Sequence, residues 1–265
     1  MTIWVDPPRW PAHGRLWSHL ISDASYGELH TFAQAVGIPR RGFEGDHYDI
    51  PQERYAEIVA AGAHAVEGTA LARILRDSGL RVPKRKGERP LASWQDPWPH
   101  IAGPHRVDII ASSLPTPGAS TTAAAVFVVD AVDRLLLVRS VARGTWGAPA
   151  GGREPGESPE QCATREVWEE TGLRLDPDSL RPCGYERVSL DPGAQRQSRP
   201  ELWPHPKNHI ACFRADLPEP GPAVAPGLDD VDAAGWFVLA QARQRCGGEP
   251  WWPLVETFGL EPGAQ

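Results

Sequence analysis

Alternating apolar and polar stretches divide the chain into two blocks of predicted elements. In the first block, the apolar run Ile3–Val5 is ended by Asp6 and two prolines. Apolar residues at helical spacing predict three helices, over residues 26–35, 54–63 and 69–80. This pattern indicates a small α/β domain over residues 1–90.

The second block begins with two apolar runs, residues 123–129 and 135–138, which predict a hairpin buried on both faces. Downstream, the pattern predicts three strands and a closing helix, over residues 187–190, 209–214, 235–239 and 252–258. Strands with helices on both sides of the sheet form an α/β/α sandwich. We therefore predict an α/β fold and assign residues 119–262 to a second domain.

Residues 91–118 lie between the two blocks and are rich in proline and tryptophan. We interpret them as a linker that packs in part on its neighbours, with residues 107–111 as an added edge strand. The pattern therefore predicts two domains joined by a largely irregular segment.

One further helix is predicted by the residues at its ends. Ser158 is a good N-cap, Pro159 suits the first helical position, and Gln161 completes a capping box. Gly172 ends the helix as a left-handed cap. Glycines and prolines in residues 149–156 predict a tight loop before it.

Glu166, Glu169 and Glu170 lie on one face of this helix, because a helix advances by about 100° per residue. Like charges at this spacing destabilise a helix by roughly a few tenths of a kcal/mol per pair, which indicates a compensating cation. Carboxylate oxygens suit Mg²⁺ or Mn²⁺ better than zinc, and Mg²⁺ in proteins usually also binds substrate phosphates. The three acids therefore predict a metal site that hydrolyses a diphosphate linkage.

The segment of residues 151–173 resembles the Nudix box, G-x5-E-x7-R-E-U-x-E-E-x-G-U with U aliphatic. The matching residues are Gly151, Glu157, Arg165, Glu166, Val167, Glu169, Glu170, Gly172 and Leu173. The resemblance implies a sandwich with a mixed sheet and an enzyme that cleaves a nucleoside diphosphate linked to another moiety, releasing a nucleoside monophosphate.

The resemblance also implies roles for individual residues. Glu166 and Glu170 are similar to the principal metal ligands of the family, and Glu166 and Glu169 to its catalytic carboxylates, with Glu169 as a ligand or as the base that orients water. The carbonyl of Ala150 is a further expected ligand. Arg165 is expected to hold Glu157 or Glu169 in place. An extra acid before the last strand is another family feature, for which Asp229, Asp230 and Asp232 are candidates.

The long loop of residues 191–208 is where we expect substrate specificity, because long loops over a rigid scaffold commonly line sites. In this hypothesis Trp203 stacks on a base while Arg196, Arg199 and Lys207 bind phosphates. A plainer interpretation of residues 203–206 than a family motif is a proline-rich substrate loop with an exposed tryptophan. The loop at Pro149 is similar to that of ADP-ribose hydrolases, and residues 203–206 resemble a displaced NADH pyrophosphatase motif, so ADP-ribose-like compounds or dinucleotides are the favoured substrates.

Two further alternatives stay open. A protein of this family can act as a nucleotide sensor that signals to residues 1–90, although such sensors commonly lose box residues and this box is intact. Residues 1–90 resemble a small domain of unknown function found beside Nudix domains in some bacterial proteins. Their polar residues are either solvated or form a second site for an anionic ligand: Asp6, Arg9, His13, His19, Arg40, Arg41, Asp46, His47 and Arg54.

Charge and composition narrow the expected partners. Residues 1–90 hold 12 Lys and Arg against 11 Asp and Glu, and the remainder holds 15 against 23. Nucleic-acid binding is not expected, because it needs a basic face. Neither a secretory signal nor a membrane span is visible, and the four cysteines show no metal-site spacing, which predicts a cytoplasmic protein with reduced thiols. A homodimer stays open, because Nudix enzymes with composite sites are often dimers.

Overall fold

The structure is a computed structural model that describes residues 2–191, 193, 203–227 and 230–259. The chain forms two compact units. The first comprises Met1–Arg85 and Arg89–Leu91, and the second comprises Lys86–Glu88 and Ala92–Gln265.

The first unit is a five-stranded sheet with three helices. Its elements in chain order are β1 (Ile3–Val5), β2 (Trp10–Ala12), β3 (Arg15–Ser22), α1 (Tyr26–Ala35), β4 (Tyr48–Pro51), α2 (Tyr55–Ala60), β5 (His64–Ala65) and α3 (Gly68–Asp77). The strand order is β2-β3-β1-β5, and β4 also pairs with β3. Helix α1 has the predicted bounds, because the Ser25 side chain accepts a hydrogen bond from the Glu28 backbone amide at its start.

The hairpin of β2 and β3 was not predicted from the apolar pattern. Its loop is His13-Gly14, and both residues have positive φ, 51° and 75°. Two such residues form the tight turn that matches the twist of paired strands. The strand residues are mostly exposed at the hairpin end, so they lack the apolar run by which strands are recognised.

The larger sheet has nine strands and belongs to the second unit, apart from Arg89–Leu91 at the start of its first strand. Its strands are β6 (Arg89–Gln95), β7 (His105–Ala111), β8 (Thr121–Val129), β9 (Arg134–Ser140), β10 (Trp146–Gly147), β11 (Ala150–Gly152), β12 (Arg181–Leu190), β13 (Lys207–Asp216) and β14 (Val231–Val238). The order is β10-β9-β8-β13-β12-β7-β6, with β11 on β8 and β14 on β9. Strands β8 and β13 are parallel. The pairs β9–β10, β8–β11, β12–β13, β7–β12, β9–β14 and β8–β9 are antiparallel, so the sheet is mixed.

Helices cover both faces of this sheet. Helix α4 (Pro159–Thr171) packs on one face, where Val126 and Val128 of β8 share a core with Val167. The ring of Phe127 points to the opposite face, where the chain forms the short helix Trp252–Val255. It lies 5.4 Å from Trp251 and 5.5 Å from Phe258, which flank this helix (ring centroids). The arrangement is an α/β/α sandwich, as predicted. No helix within the described ranges has both the length and the apolar character to cross a bilayer.

Several elements differ from the prediction. Residues 91–118, expected to be a linker, contain most of β6 and all of β7, and β7 is an interior strand that pairs with β12 over seven positions. Prolines and tryptophans around these strands obscured their apolar residues. The predicted hairpin of β8 and β9 pairs only at Val129 and Leu135, because the strands then separate toward other partners. A helix over Leu239–Cys246 was missed, since only two of its residues are buried.

Glu186, in the middle of β12, is expected to make the stability of the fold depend on pH. Its side chain is buried, its Oε2 has no hydrogen-bond partner among the described residues, and burial raises the pKa of this carboxyl from 4.5 to about 8. Between these pH values the folded chain keeps a proton that the unfolded chain releases. Raising the pH through this window therefore lowers the free energy of unfolding, by at most about 1.4 kcal/mol per pH unit.

The substitution Glu186→Gln removes this titration while preserving the shape of the side chain. We expect the melting temperature of the parent to fall more steeply between pH 5 and 8 than that of the variant, and the variant to be the more stable at pH 8. Denaturant unfolding across this pH range measures the two slopes. Parallel slopes would show that Glu186 is not the group responsible.

Candidate active site

The ends of helix α4 are fixed by local hydrogen bonds. The Ser158 hydroxyl accepts from the Gln161 amide, and the Gln161 side chain accepts from the Ser158 amide, so the predicted capping box is present. Gly172 has φ 72° and ends the helix. Carbonyls of the last turn accept from a later loop, with Gly227 N donating to Glu170 O at 3.2 Å. A Cβ at Gly227 would lie 1.7 Å from the Glu169 carbonyl oxygen, so this close approach requires glycine. Gly227 was not singled out from the sequence.

Small residues let helix α4 lie close to the sheet at the position of its carboxylates. Strand β11 pairs with β8 so that Gly151 stands opposite Ala124. A Cβ on Gly151 would be 2.2 Å from the carboxyl carbon of Glu166, so only glycine fits without a shift. The Glu170 Oε2 accepts from the Ala150 amide at 3.1 Å. Glu166 and Glu170 are thereby buried beside the short strand β11.

Arg165 contacts three carboxylates and one carbonyl. It donates to both oxygens of Glu157, at 2.7 and 3.1 Å. One nitrogen, Nη1, donates to Glu166 at 2.7 Å and to Glu169 at 2.8 Å. Its Nη2 also donates to the carbonyl of Gly152 at 2.8 Å. The guanidinium therefore joins the loop before α4 to the acidic face of the helix.

The electrostatics of the site follow from these contacts. The hydrogen bonds of Arg165 hold the pKa of Glu157 below its usual value. Burial, and then the charge of Glu166, raise the pKa of Glu170 to about 8. Burial likewise raises the pKa of Glu166. Burial thus disfavours the ionised form of both carboxylates.

Of the two candidate extra acids that the structure describes, Asp230 is the one whose charge acts on the site. Its charge contributes to the raised pKa values of both Glu166 and Glu170. Asp232 instead forms an ion pair with Arg139, at 2.7 and 2.9 Å, on an exposed part of β14. Asp229 lies outside the described residues. The charge of the loop residue Arg143 lowers the pKa of Glu170, whereas the charge of Asp230 raises it. Arg143 was not singled out from the sequence.

The donor set fits a divalent cation. Glu166 and Glu170 have side-chain oxygens beside β11, and Arg165 connects Glu166 to Glu169. Oxygen ligands suit Mg²⁺ or Mn²⁺. A dication would supply the positive charge that the two buried carboxylates lack. Among the described residues, these three carboxylates do not place one oxygen each so that all three oxygens lie within 4.8 Å of one another. Arg165 accounts for part of this spacing, because it binds one oxygen each of Glu166 and Glu169.

Of the residues predicted to bind substrate, the structure describes Trp203 and Lys207. Trp203 is 8% exposed and stacks on Trp98, with ring centroids 6.1 Å apart, so it is not the exposed ring expected from the sequence. The two tryptophans lie in proline-rich segments and cover each other's apolar faces. Lys207 is exposed at the start of β13. Arg196 and Arg199 lie outside the described residues, as does most of the loop of residues 191–208.

The α/β/α sandwich, the tight loop before α4 and the acidic face of α4 together define a class of protein. Sequence comparison identifies this class. A model of the NUDIX domain matches residues 119–255, and the chain therefore belongs to the NUDIX family, which confirms the resemblance of its box. Residues 3–78 match a family described as "Protein of unknown function (DUF4031)". Proteins of the NUDIX family generally use divalent metal ions.

Individual relatives match over limited stretches. The chain is 49% identical over 53 residues to a "MutT-like protein" of Streptomyces ambofaciens, covering 20% of this chain and 34% of that protein. It is 32% identical over 105 residues to "NAD-capped RNA hydrolase NudC" of Chromobacterium violaceum, covering 39% and 32%. These matches span about a third of each relative. A solved NUDIX hydrolase from Nitrosomonas europaea aligns with a TM-score of 0.40 and 22% identity, covering 54% of this chain and 91% of that chain.

The contacts of Arg165 lead to a prediction for Arg165→Lys. A lysine cannot reproduce the two parallel hydrogen bonds to Glu157 together with those to Glu166 and Glu169. Misplaced supporting groups typically cost 10–100-fold in metal affinity or activity, so we expect a decrease of about this size in kcat for nucleotide hydrolysis. The matched control is Arg174→Lys, just after the helix, where the guanidinium lies over the exposed ring of Trp168. Equal activity of both variants would contradict a positioning role.

Proposed function

We propose that the chain is a Mg²⁺-dependent hydrolase that cleaves a diphosphate linkage in a nucleoside diphosphate derivative and releases a nucleoside monophosphate. The observation that carries the proposal is the acidic face of α4, where Glu166 and Glu170 are buried against β11 beside Glu169. A compensating cation stabilises the ionised form of such a buried acidic face, and a diphosphate completes the coordination of Mg²⁺.

Each protein group has a part in the proposed reaction. Glu166, Glu169 and Glu170, with the carbonyl of Ala150, would hold the metal, which when bound neutralises phosphate oxygens and activates water. Glu169 is the proposed base, because it is the least buried of the three acids and its Oε2 is oriented by Arg165. Glu157 keeps the Arg165 guanidinium in place. Attack of water at phosphorus then releases the monophosphate.

The substrate class is proposed more narrowly from the relatives. ADP-ribose-like compounds and dinucleotides are favoured by the loop at Pro149 and by the similarity to proteins named NAD-capped RNA hydrolase. A small nucleotide is preferred over RNA, because the second unit has no excess of basic residues. We propose a cytoplasmic setting, where such nucleotides and reduced thiols occur.

A panel of nucleotides tests the proposal. The full chain is incubated with Mg²⁺ and with ADP-ribose, NADH, NAD, dinucleoside polyphosphates, oxidised dNTPs or a short NAD-capped RNA, and released monophosphate is measured. We expect Mg²⁺-dependent release from one or more of the small nucleotides. Binding of a nucleotide without release of monophosphate would instead favour a sensor.

A further inference from the structure

Two histidines and an aspartate form a compact cluster in the first unit. His19 of β3 stands directly opposite Asp49 of β4, and His47 lies just before β4. The Nε2 atoms of His19 and His47 are 4.0 and 3.3 Å from Asp49 Oδ1. One nitrogen from each histidine and one oxygen of Asp49 lie within 4.8 Å of one another, the only such group of three or more potential ligands among the described residues.

Each histidine is held from behind by a buried carboxylate. Asp6 Oδ2 lies 3.1 Å from the Nδ1 of His19, and Asp46 Oδ1 lies 2.6 Å from the Nδ1 of His47. Asp6 and Asp46 are only 2% and 4% exposed. Asp6 is itself fixed by the indole N–H of Trp10 and by the backbone amide of His19.

This pairing determines which ring nitrogen is available. An ionised carboxylate only accepts hydrogen bonds, so each Nδ1 carries a proton. In the neutral imidazole the lone pair is then on Nε2, which in both rings is the nitrogen nearer to Asp49. Metal-binding histidines almost always have this arrangement, in which a carboxylate or carbonyl accepts from the other ring nitrogen.

Charge and access agree with a bound cation. Three carboxylates, those of Asp6, Asp46 and Asp49, surround two imidazoles, so a dication would offset their negative charge. The side chains of His19, His47 and Asp49 are 28%, 18% and 41% exposed. An ion held by three protein ligands would therefore still be open to water or to a further ligand.

We propose that His19, His47 and Asp49 form a second metal site, for a first-row transition-metal dication such as Zn²⁺ or Fe²⁺. Imidazole nitrogens favour such metals over Mg²⁺, and two histidines with one carboxylate leave coordination positions open. The site is separate from the acidic face of α4 and does not depend on the proposed hydrolase function. It differs from the site for an anionic ligand that the sequence suggested. The carboxylates of Asp6, Asp46 and Asp49 make the surroundings of the two histidines unfavourable for an anion.

Protonation of the His47 ring competes with metal binding. Although burial opposes it, hydrogen bonds to Asp46 and Asp49 raise the pKa of His47 to about 9. A protonated imidazole does not bind metal, so an ion-paired cluster and a metal site give different results in a metal titration.

The test uses the full chain carrying Glu166→Gln and Glu170→Gln, so that the acidic face of α4 does not contribute to binding. The protein is stripped with a chelator and titrated with Zn²⁺ by calorimetry, with the melting temperature recorded at each step. We expect one equivalent of Zn²⁺ to bind and to raise the melting temperature, and Mg²⁺ to do neither at the same concentration. Absorption of bound Co²⁺ reports nitrogen ligation independently of any enzymatic activity.

Substitutions then locate the site. His47→Ala and Asp49→Ala are expected to abolish the Zn²⁺ effect, and Asp46→Asn to weaken binding by about 10–100-fold. His13→Asn is the matched control, because it removes a histidine of the same unit at a positive φ that asparagine tolerates. Circular dichroism of the metal-free variants verifies folding, and Asp49, the most exposed of the three, is the decisive position. Absence of Zn²⁺ binding in the background protein, or unchanged binding in folded Asp49→Ala, would overturn the proposal.

Discussion

The substitutions Glu170→Gln and Glu166→Gln are each expected to lower kcat for Mg²⁺-dependent hydrolysis by about 10³-fold. A metal ion contributes several kcal/mol to stabilising the transition state, and a neutral amide is a poor ligand for a hard cation. The fold should survive. A glutamine at position 170 can still accept from the Ala150 amide, and it removes a buried group that is costly to ionise.

Steady-state kinetics with the best substrate of the nucleotide panel, together with thermal unfolding, measure both effects. The matched control is Glu160→Gln, in the first turn of the same helix, which should leave kcat unchanged. Full activity of both Glu166→Gln and Glu170→Gln would show that the acidic face of α4 takes no part in the reaction.

The substitution Gly151→Ala is expected to lower kcat by about 10²-fold. Its Cβ would lie 2.2 Å from the carboxyl group of Glu166, so the carboxylate or strand β11 has to move. A displacement of about 1 Å at a catalytic group is sufficient for a loss of this size. Because the contact is with a side chain, we expect a smaller effect on stability than on turnover.

Gly147→Ala is the matched control for this prediction. Gly147 lies in β10, a few residues before Gly151 in the same segment, and a Cβ there meets no atom within 4 Å. Kinetics of the two variants at saturating Mg²⁺ separate a local collision from a general effect of adding a methyl group. Equal kcat values for the two variants would falsify the close packing of Gly151 on Glu166.

The sequence predicted best where local chemistry determines structure. The bounds of α4 follow from Ser158, Gln161 and Gly172, which act within one turn of the helix ends. The common face of Glu166, Glu169 and Glu170 follows from helical geometry alone. The apolar runs of β8 and β9 were recognised for a similar reason, since both strands are buried.

Features that depend on distant residues were not predicted. The burial of Trp203 depends on Trp98, about a hundred positions earlier in the chain. Likewise, the ion pair of Asp232 with Arg139 connects β14 to β9, and no local pattern reveals it. The cluster of His19, His47 and Asp49 requires the pairing of β3 with β4. The sequence therefore indicated His19 and His47 without their arrangement, and Asp49 was not singled out. In each case a tertiary contact decides the environment of the side chain.

In the proposed reaction, divalent ions bind along the acidic face of α4 and contact a diphosphate. The most direct measurement is anomalous diffraction from crystals grown with Mn²⁺ and a non-hydrolysable nucleoside diphosphate analogue. We predict Mn²⁺ peaks at about 2.0–2.3 Å from carboxylate oxygens of Glu166 and Glu170, with a phosphate oxygen on the same ion. Mn²⁺ and the analogue bound elsewhere, with these carboxylates free of metal, would contradict the account.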